Sequence, residues 1–205
     1  MVMALDLRVA ELLCSRLCHD LVSPVGAVAN GMELVAELGG AMDDEIAGMI
    51  GDSAALASAR LRFFRAAYGL AGGQDTNSTE ELKNLAESRA AGEGYHLDWA
   101  AEPGRIAGRG KSGKLALNLQ LLAEEALMRG GTISLRSDAG LEAIAEGAGA
   151  ALRAEQIAAL RPDTPVAELT ARTVHAFYTA RLASECGLAL SVETAGEGRV
   201  VFHAK

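Results

Sequence analysis

Apolar residues recur at helical spacing through the first third of the chain. They do so from about residue 5 to residue 38 and again from about residue 43 to residue 70. The intervening sequence ELGGAMDDE supplies a Gly-Gly helix stop followed by an aspartate that can cap the next helix. Because this connection is short, we expect two long antiparallel helices that form a hairpin.

The remaining residues alternate between helical and strand patterns. The run AGGQDTNST, residues 71–79, has no periodic apolar residues and marks a linker or domain edge. Helical patterns follow in TEELKNLAESRA, KLALNLQLLAEEALM and LTARTVHAFYTARLASECG, and strand patterns in YHLDWA, TISLRS, LEAIAEG, LALSVE and RVVFHA. We therefore predict an α+β protein of two domains, with a helical hairpin over residues 1–74 and an α/β sandwich over residues 75–205.

The hairpin is predicted to associate with a second copy of itself. Two helices alone leave the faces of Leu21, Val28 and Phe63 half covered, whereas four helices close a bundle core. We therefore expect a homodimer held together by a four-helix bundle.

Charge, hydrophobic segments and cysteine content indicate which partners and which cellular compartment to expect. A net charge of −8 and a pI near 5.1 disfavour nucleic acid, whose binding draws on clustered Lys and Arg. The N-terminal sequence has no apolar signal-peptide region, and charged residues interrupt every hydrophobic segment before it reaches the roughly 20 residues of a membrane span. Three cysteines without a disulfide-framework spacing suit a reducing compartment. We expect a soluble, cytoplasmic protein that binds neither nucleic acid nor membrane.

His19 lies on a polar stripe of the first predicted helix. With a rotation of about 100° per residue, the residues on its side are Ser15, Arg16, Ser23, Gly26, Asn30, Glu33 and Glu37. The opposite face collects Cys14, Leu17, Leu21, Val25, Val28, Met32 and Val35. His19 is therefore expected to face solvent, where a neutral ring nitrogen can act as a nucleophile. Pro24, one turn further on, should kink the helix because it cannot donate to the carbonyl of Asp20.

Arginines of the second helix are predicted to lie near this histidine. Because the chain turns back between the two helices, Leu61 falls at the level of His19, with Arg60, Arg62 and Arg65 around it. Each arginine is open to two interpretations, either a contact with phosphoryl oxygens or a solubilising surface charge.

The residues around His19 carry a family resemblance. His19-Asp20-Leu21-Val22-Ser23-Pro24-Val25 resembles the phosphoacceptor box of sensor histidine kinases, which reads His, acid, Leu, two variable residues, Pro and an aliphatic residue. In this role His19 would be the nucleophile. Asp20 would accept a hydrogen bond from the second ring nitrogen and so fix the tautomer.

The second predicted domain is similar to a histidine kinase ATPase domain with an emptied nucleotide site. Residues 118–125 resemble the helix that carries a magnesium-binding Asn, but Leu122 stands in its place. Residues 145–149 resemble the Asp-x-Gly-x-Gly box that reads adenine, with Ala145 in place of the Asp. The Gly-rich lid that should precede residues 181–188 is absent. The chain is therefore expected to have no ATP-dependent kinase activity and to bind no cofactor.

A kinase-like architecture with an intact histidine box resembles the ChpT family of histidine phosphotransferases from alphaproteobacterial cell-cycle phosphorelays. The resemblance implies a homodimer that takes phosphate from the receiver of a CckA-like hybrid kinase and passes it to CtrA-like and CpdR-like response regulators. Mg²⁺ would come from the receiver's own acidic pocket. Because one imidazole must reach both receivers, we expect them to share a surface that contains Ser23, Gly26 and Asn30, with Arg16 and the facing part of the second helix. Two alternatives stay open, an active sensor-type histidine kinase and a non-catalytic dimeric scaffold or kinase inhibitor.

Overall fold

The computed structural model describes residues 6–69, 78–105, 111–138, 140–161 and 163–205. The predicted boundary between residues 74 and 75 lies outside the described residues, as does most of the linker run 71–79. Six α-helices are described: α1 Leu7–Glu37, α2 Asp44–Tyr68, α3 Thr79–Glu93, α4 Ser112–Ala126, α5 Ala154–Ala159 and α6 Val174–Glu185. Five strands accompany them: β1 His96–Trp99, β2 Thr132–Arg136, β3 Leu141–Glu146, β4 Leu190–Thr194 and β5 Arg199–Ala204. Short 3₁₀ helices span Pro103–Arg105 and Val166–Glu168.

Helices α1 and α2 form the predicted antiparallel hairpin. Gly39 and Gly40 follow α1 with φ values of 70° and 88°, a backbone conformation that glycine adopts without steric cost. Asp43 then caps α2, because its carboxylate accepts a 2.8 Å hydrogen bond from the backbone N–H of Ile46. The two helices approach closely at Gly31, where an added Cβ would lie 2.5 Å from Cγ1 of Ile50. Local sequence signals therefore fix both the turn and the start of α2.

The second half of the chain forms a five-stranded sheet in the order β1-β2-β3-β5-β4. Strands β1 and β2 are parallel, and the other neighbouring pairs are antiparallel. Helices α4 and α6 pack against the sheet, which confirms the predicted α+β class with a sandwich of helices and sheet. Helix α6 begins at Val174, later than its apolar pattern indicated, because residues 170–173 form a hydrogen-bonded turn. Helix α5 was not predicted from the sequence.

Helix α4 joins the hairpin to the sheet. It is buried on nearly every side, as expected for a helix enclosed in a core rather than lying on the surface. Asn118 of α4 donates a 2.8 Å hydrogen bond to the carbonyl of Ala67, and Lys114 donates to the carbonyl of Gly69. These bonds satisfy carbonyl groups at the end of α2 that have no partner within their own helix. One continuous apolar core therefore runs from the end of α2 into the sheet.

Phe63 corrects one expectation about the dimer. The sequence pattern predicted that Phe63 would be half covered until a second copy packed on it, but its exposed fraction is 0% within a single chain. The side chain belongs to the shared core, and the guanidinium carbon of Arg89 on α3 lies 5.0 Å from its ring centroid. The C-terminal half of the chain therefore covers this part of α2.

Helix α1 is long and apolar enough to meet a length-and-composition test for a membrane span. It is the one helix among the described residues that does so, with a mean hydropathy of 1.2 over an 18-residue window. Its apolar residues are confined to part of its circumference, because His19, Asn30 and Glu33 are exposed along one stripe. The helix is therefore amphipathic.

Candidate functional site

His19 projects from α1 into solvent, as the helical wheel predicted. Its side chain is 89% exposed, and Nδ1 lies 3.3 Å from Oδ1 of the half-buried Asp20. In the neutral tautomer that carries its proton on Nδ1, this N–H donates to the carboxylate. In that tautomer Nε2 carries the lone pair, and it has no hydrogen-bond partner among the described residues. The exposed ring therefore leaves Nε2 accessible to an incoming group.

Pro24 has a specific structural consequence beside this histidine. Because proline has no N–H, the carbonyl of Asp20 lacks the hydrogen bond that residue 24 would otherwise donate within the helix. Nη1 of Arg60 on α2 donates to that carbonyl at 2.5 Å. The guanidinium also donates to both carboxylate oxygens of Glu93, at 2.7 and 2.9 Å. Arg60 thus connects the backbone next to His19 with α2 and with the end of α3.

The four arginines predicted to bind a partner fall into two groups, those already paired within this chain and those that are accessible. Arg60 lies at the level of His19, as expected, but its guanidinium is occupied by Asp20 and Glu93. Arg16 is paired with Glu125 of α4 at 2.5 Å. Arg62 and Arg65 are exposed on α2 and form no ion pair within the described ranges. Two of the four guanidinium groups therefore stabilise this chain, and two remain accessible.

Other residues of the predicted shared surface are open to solvent. Ser23 and Asn30 are exposed on α1, and an added Cβ at Gly26 would meet no atom within 4 Å. Two apolar side chains are also exposed here: Leu61, which follows Arg60 in sequence, and Val22, three residues after His19. We use "His19 face" for His19, Ser23, Gly26 and Asn30, the stripe of α1 that these observations place on the surface.

Glu125 forms a buried junction between the hairpin and the C-terminal half of the chain. Besides Arg16, it accepts hydrogen bonds from Nδ1 of His175 at 2.8 Å and from Nε2 of Gln156 at 2.6 Å. Burial alone would raise the pKa of Glu125, but the groups of His175 and Arg16 beside it hold that pKa below its usual range. Complete burial lowers the pKa of His175 despite its carboxylate neighbour. The junction therefore consists of an ionised Glu125, a cationic Arg16 and a neutral His175 at pH 7.

Glu124 and Glu125 form an acidic pair at the end of α4. Neighbouring glutamates point about 100° apart on a helix, and the sequence alone predicts that this pair forms a solvated face. Instead Glu124 accepts from Arg89 at 2.7 and 2.8 Å and from the hydroxyl of Tyr95, while Glu125 accepts from α1. The expectation was wrong because partners from distant segments, absent from any local pattern, cover both carboxylates.

The positions expected to hold nucleotide are apolar and enclosed. Leu122 in α4 and Ala145 in β3 are both fully buried, so neither position presents a polar group to a ligand. Within the described ranges, no group of three or more His, Cys, Asp or Glu side chains is placed to hold a metal ion.

Comparisons with known proteins identify the family of this chain. The family model "Histidine phosphotransferase C-terminal domain" matches residues 79–198. The chain is 37% identical over 211 residues to protein phosphotransferase ChpT of Brucella abortus (strain 2308), covering 98% of this chain and 96% of that protein. It also superposes on a structure described as that of a bacterial phosphotransferase, solved at 1.7 Å, with a TM-score of 0.80 and 31% identity. That superposition covers 100% of this chain and 98% of the other.

Proposed function

The chain belongs to the histidine phosphotransferase family. We therefore propose that His19 accepts a phosphoryl group from the receiver domain of a hybrid histidine kinase and then transfers it to a response regulator. The observation that carries this assignment is the position of His19, 89% exposed on α1 with Nδ1 directed at Asp20. The other three histidines are less suited to the role. His175 is fully buried, His203 is half-buried beside Glu142, and His96 lies on an edge strand.

The transfer needs little covalent chemistry from this chain beyond an aligned nucleophile. Nε2 of His19 attacks the phosphorus of an aspartyl phosphate on the donor, so that the P–N bond forms and the P–O bond to the donor breaks. The donor carboxylate leaves with the electron pair. The imidazole ring becomes cationic while it keeps its proton on Nδ1, and the carboxylate of Asp20 compensates that charge. Attack by the acceptor's aspartate reverses the step and regenerates the neutral ring.

The same face serves the donor and the acceptor in this proposal. One imidazole must come within bonding reach of each receiver's aspartate, so both receivers cover the His19 face in turn. Exposed Arg62 and Arg65 would attract the acidic pocket of a receiver despite the net charge of −8. CckA-like donors and CtrA-like and CpdR-like acceptors are the partners we propose from the family resemblance, with Mg²⁺ supplied by the receiver.

We further propose that the protein acts as a soluble, cytoplasmic homodimer. Val22, Val25 and Met32 of α1 are 68%, 55% and 49% exposed, and Met49 on α2 is also exposed. On the helical wheel the three α1 residues fall on one side, away from α2. Exposed apolar side chains in such a row are typical of an association surface. A second hairpin would cover them and complete a four-helix bundle.

Kinase activity is not part of this proposal. The buried side chains of Leu122 and Ala145 leave no metal ligand and no acceptor for an adenine amino group at the positions where the resemblance expects them. We therefore expect no labelling of His19 from ATP alone.

A purified three-component assay tests the proposal. A phosphorylated receiver domain is mixed with the full chain, and label on the chain is followed with time and then chased with a second receiver. Wild type should become labelled, the label should be labile in acid and stable in base, and the chase should remove it. His19→Ala should abolish labelling, whereas His96→Ala, which removes another exposed histidine, should retain it.

Three results would contradict the proposal in different ways. Persistent labelling of His19→Ala would place the acceptor elsewhere. Binding of the receiver without any labelling of wild type would favour the scaffold or kinase-inhibitor alternative, and labelling of His19 by ATP alone would favour the sensor-kinase alternative.

A further inference from the structure

A cleft opens where α1 meets the C-terminal half of the chain. Its volume is about 450 Å³, and its lining includes Arg16, Glu125, Met128, Arg153, Gln156 and Arg172. These residues come from α1, the end of α4, the start of α5 and the turn before α6. A cleft of this volume between structural units falls within the usual range for small-molecule sites.

The cleft carries an excess of positive charge. Glu125 supplies the one carboxylate among its lining residues, and that carboxylate already accepts from Arg16, His175 and Gln156. Arg153 and Arg172 are exposed, and neither guanidinium forms an ion pair within the part of the chain that the structure describes. The negative charge of Glu125 is thus matched by Arg16. Two cationic groups remain for an incoming anion.

This local charge contrasts with the rest of the molecule. The chain as a whole is acidic, with a net charge of −8. Two arginines without an acidic partner in one cleft therefore do not simply reflect a basic protein surface. Guanidinium groups bind phosphate and carboxylate oxygens through paired N–H donors, and two of them can neutralise a dianion. Met128, which is exposed beside them, offers apolar surface for the uncharged part of a ligand.

We propose that this cleft is a binding site for a small polyanion, a molecule with two or more neighbouring phosphate or carboxylate groups. Arg153 and Arg172 bind the anionic groups, while the Glu125 junction holds Arg16 at the inner wall. The concave shape favours a small molecule over an extended protein segment. The site is distinct from Nε2 of His19, and its existence does not depend on the phosphotransfer proposal.

Isothermal titration calorimetry on the full chain, with inorganic pyrophosphate and with citrate as separate probes at low salt, tests this inference. Saturable binding of one molecule per chain is expected for at least one probe. Comparison of the two shows whether phosphate or carboxylate is preferred. Either single substitution, Arg153→Ala or Arg172→Ala, should weaken binding about tenfold, the loss typical of one charge-assisted hydrogen bond. Binding should also weaken as salt is raised.

Arg161→Ala is the matched control, because Arg161 is an exposed arginine of the same half of the chain that pairs with Asp163 outside the cleft. It changes the net charge equally and should leave the affinity unchanged. The bound probe should raise the unfolding temperature of wild type and of this control, but not that of the double variant Arg153→Ala/Arg172→Ala.

Two outcomes would overturn the inference. The first is no saturable binding of either probe at millimolar concentration. The second is equal affinity of wild type and the double variant. If the double variant binds the probes as wild type does and also loses transfer from a receiver, Arg153 and Arg172 belong to a surface for a protein partner instead.

Discussion

The contact between Arg60 and the carbonyl of Asp20 leads to a quantitative prediction about Pro24. Arg60 occupies the acceptor that Pro24 leaves without its helical hydrogen bond, so the two residues should be energetically coupled. If residue 24 is alanine, its N–H can donate to the Asp20 carbonyl, and removal of the guanidinium then leaves no unpaired group there. We therefore predict that Arg60→Ala destabilises the Pro24→Ala variant less than it destabilises wild type.

The magnitude follows from the bonds involved. In wild type, Arg60→Ala removes a charge-assisted bond to Asp20 and a bidentate pair to Glu93, in a partly buried setting. With about 1.5 kcal/mol for one charged hydrogen bond, the Asp20 part should appear as a coupling free energy of about 1.5 kcal/mol. Arg60→Ala removes the ion pair with Glu93 both from wild type and from Pro24→Ala, so this contribution cancels when the two effects are compared. At a urea slope of about 2 kcal/mol/M, this coupling is a difference of about 0.75 M between the two midpoint shifts.

Urea unfolding of the four chains of this double-mutant cycle provides the measurement. All four should be compared at one protomer concentration, because association contributes to the apparent stability of a dimer. Arg62→Ala, on the same helix and without an ion pair among the described residues, should change the free energy of unfolding by less than about 0.5 kcal/mol. Additive effects of Arg60→Ala and Pro24→Ala, within about 0.3 kcal/mol, would refute the reasoning.

Three further predictions concern the association surface, the His19 face and the buried histidine. The double substitution Met32→Glu/Met49→Glu places charges on the exposed apolar surface, so the protein should be a monomer by light scattering. A dimer that persists in this variant would show that the interface lies elsewhere. Gly26→Trp, which meets open space, should slow transfer from the donor and to the acceptor at least tenfold each, while Lys205→Ala affects neither; a selective loss of one transfer would indicate separate docking sites. Burial lowers the pKa of His175 below its usual 6.5. When the pH falls below 6.5, this histidine is therefore protonated in the unfolded chain but stays neutral in the folded chain until its lower pKa is reached. The free energy of unfolding should therefore decrease by up to about 1.4 kcal/mol per pH unit below 6.5, and His175→Asn should reduce this dependence in urea titrations at several pH values.

The elements of the hairpin and the exposure of His19 were predictable because their signals are local. Gly39 and Gly40 end α1 through their own backbone conformation, and Asp43 caps α2 through a bond to a residue three positions away. The exposure of His19 likewise follows from the 3.6-residue period of a single helix. Each of these predictions used residues within one or two turns, where sequence distance and spatial distance agree.

The support around the histidine was not predictable, because it joins segments far apart in sequence. Arg60 contacts Glu93, 33 residues away, and Glu125 contacts His175, 50 residues away. A charged residue on a helix has the same local signature whether it meets solvent or a distant partner. The sequence could place Arg60 near His19 by counting along the hairpin. It could not show that the guanidinium is already occupied.

The burial of Phe63 changes where a second hairpin can pack. The apolar pattern predicted that Phe63 would be covered by a second hairpin, but Phe63 and its neighbour Phe64 are covered by the C-terminal half of the same chain. The exposed apolar residues Val25 and Met32 on α1 and Met49 on α2 lie in the part of the hairpin between His19 and the connecting turn. A dimer that uses them leaves α4 and the Glu125 junction outside its interface. On this arrangement each chain keeps its own His19 face and its own cleft, so association and anion binding should be separable by substitution.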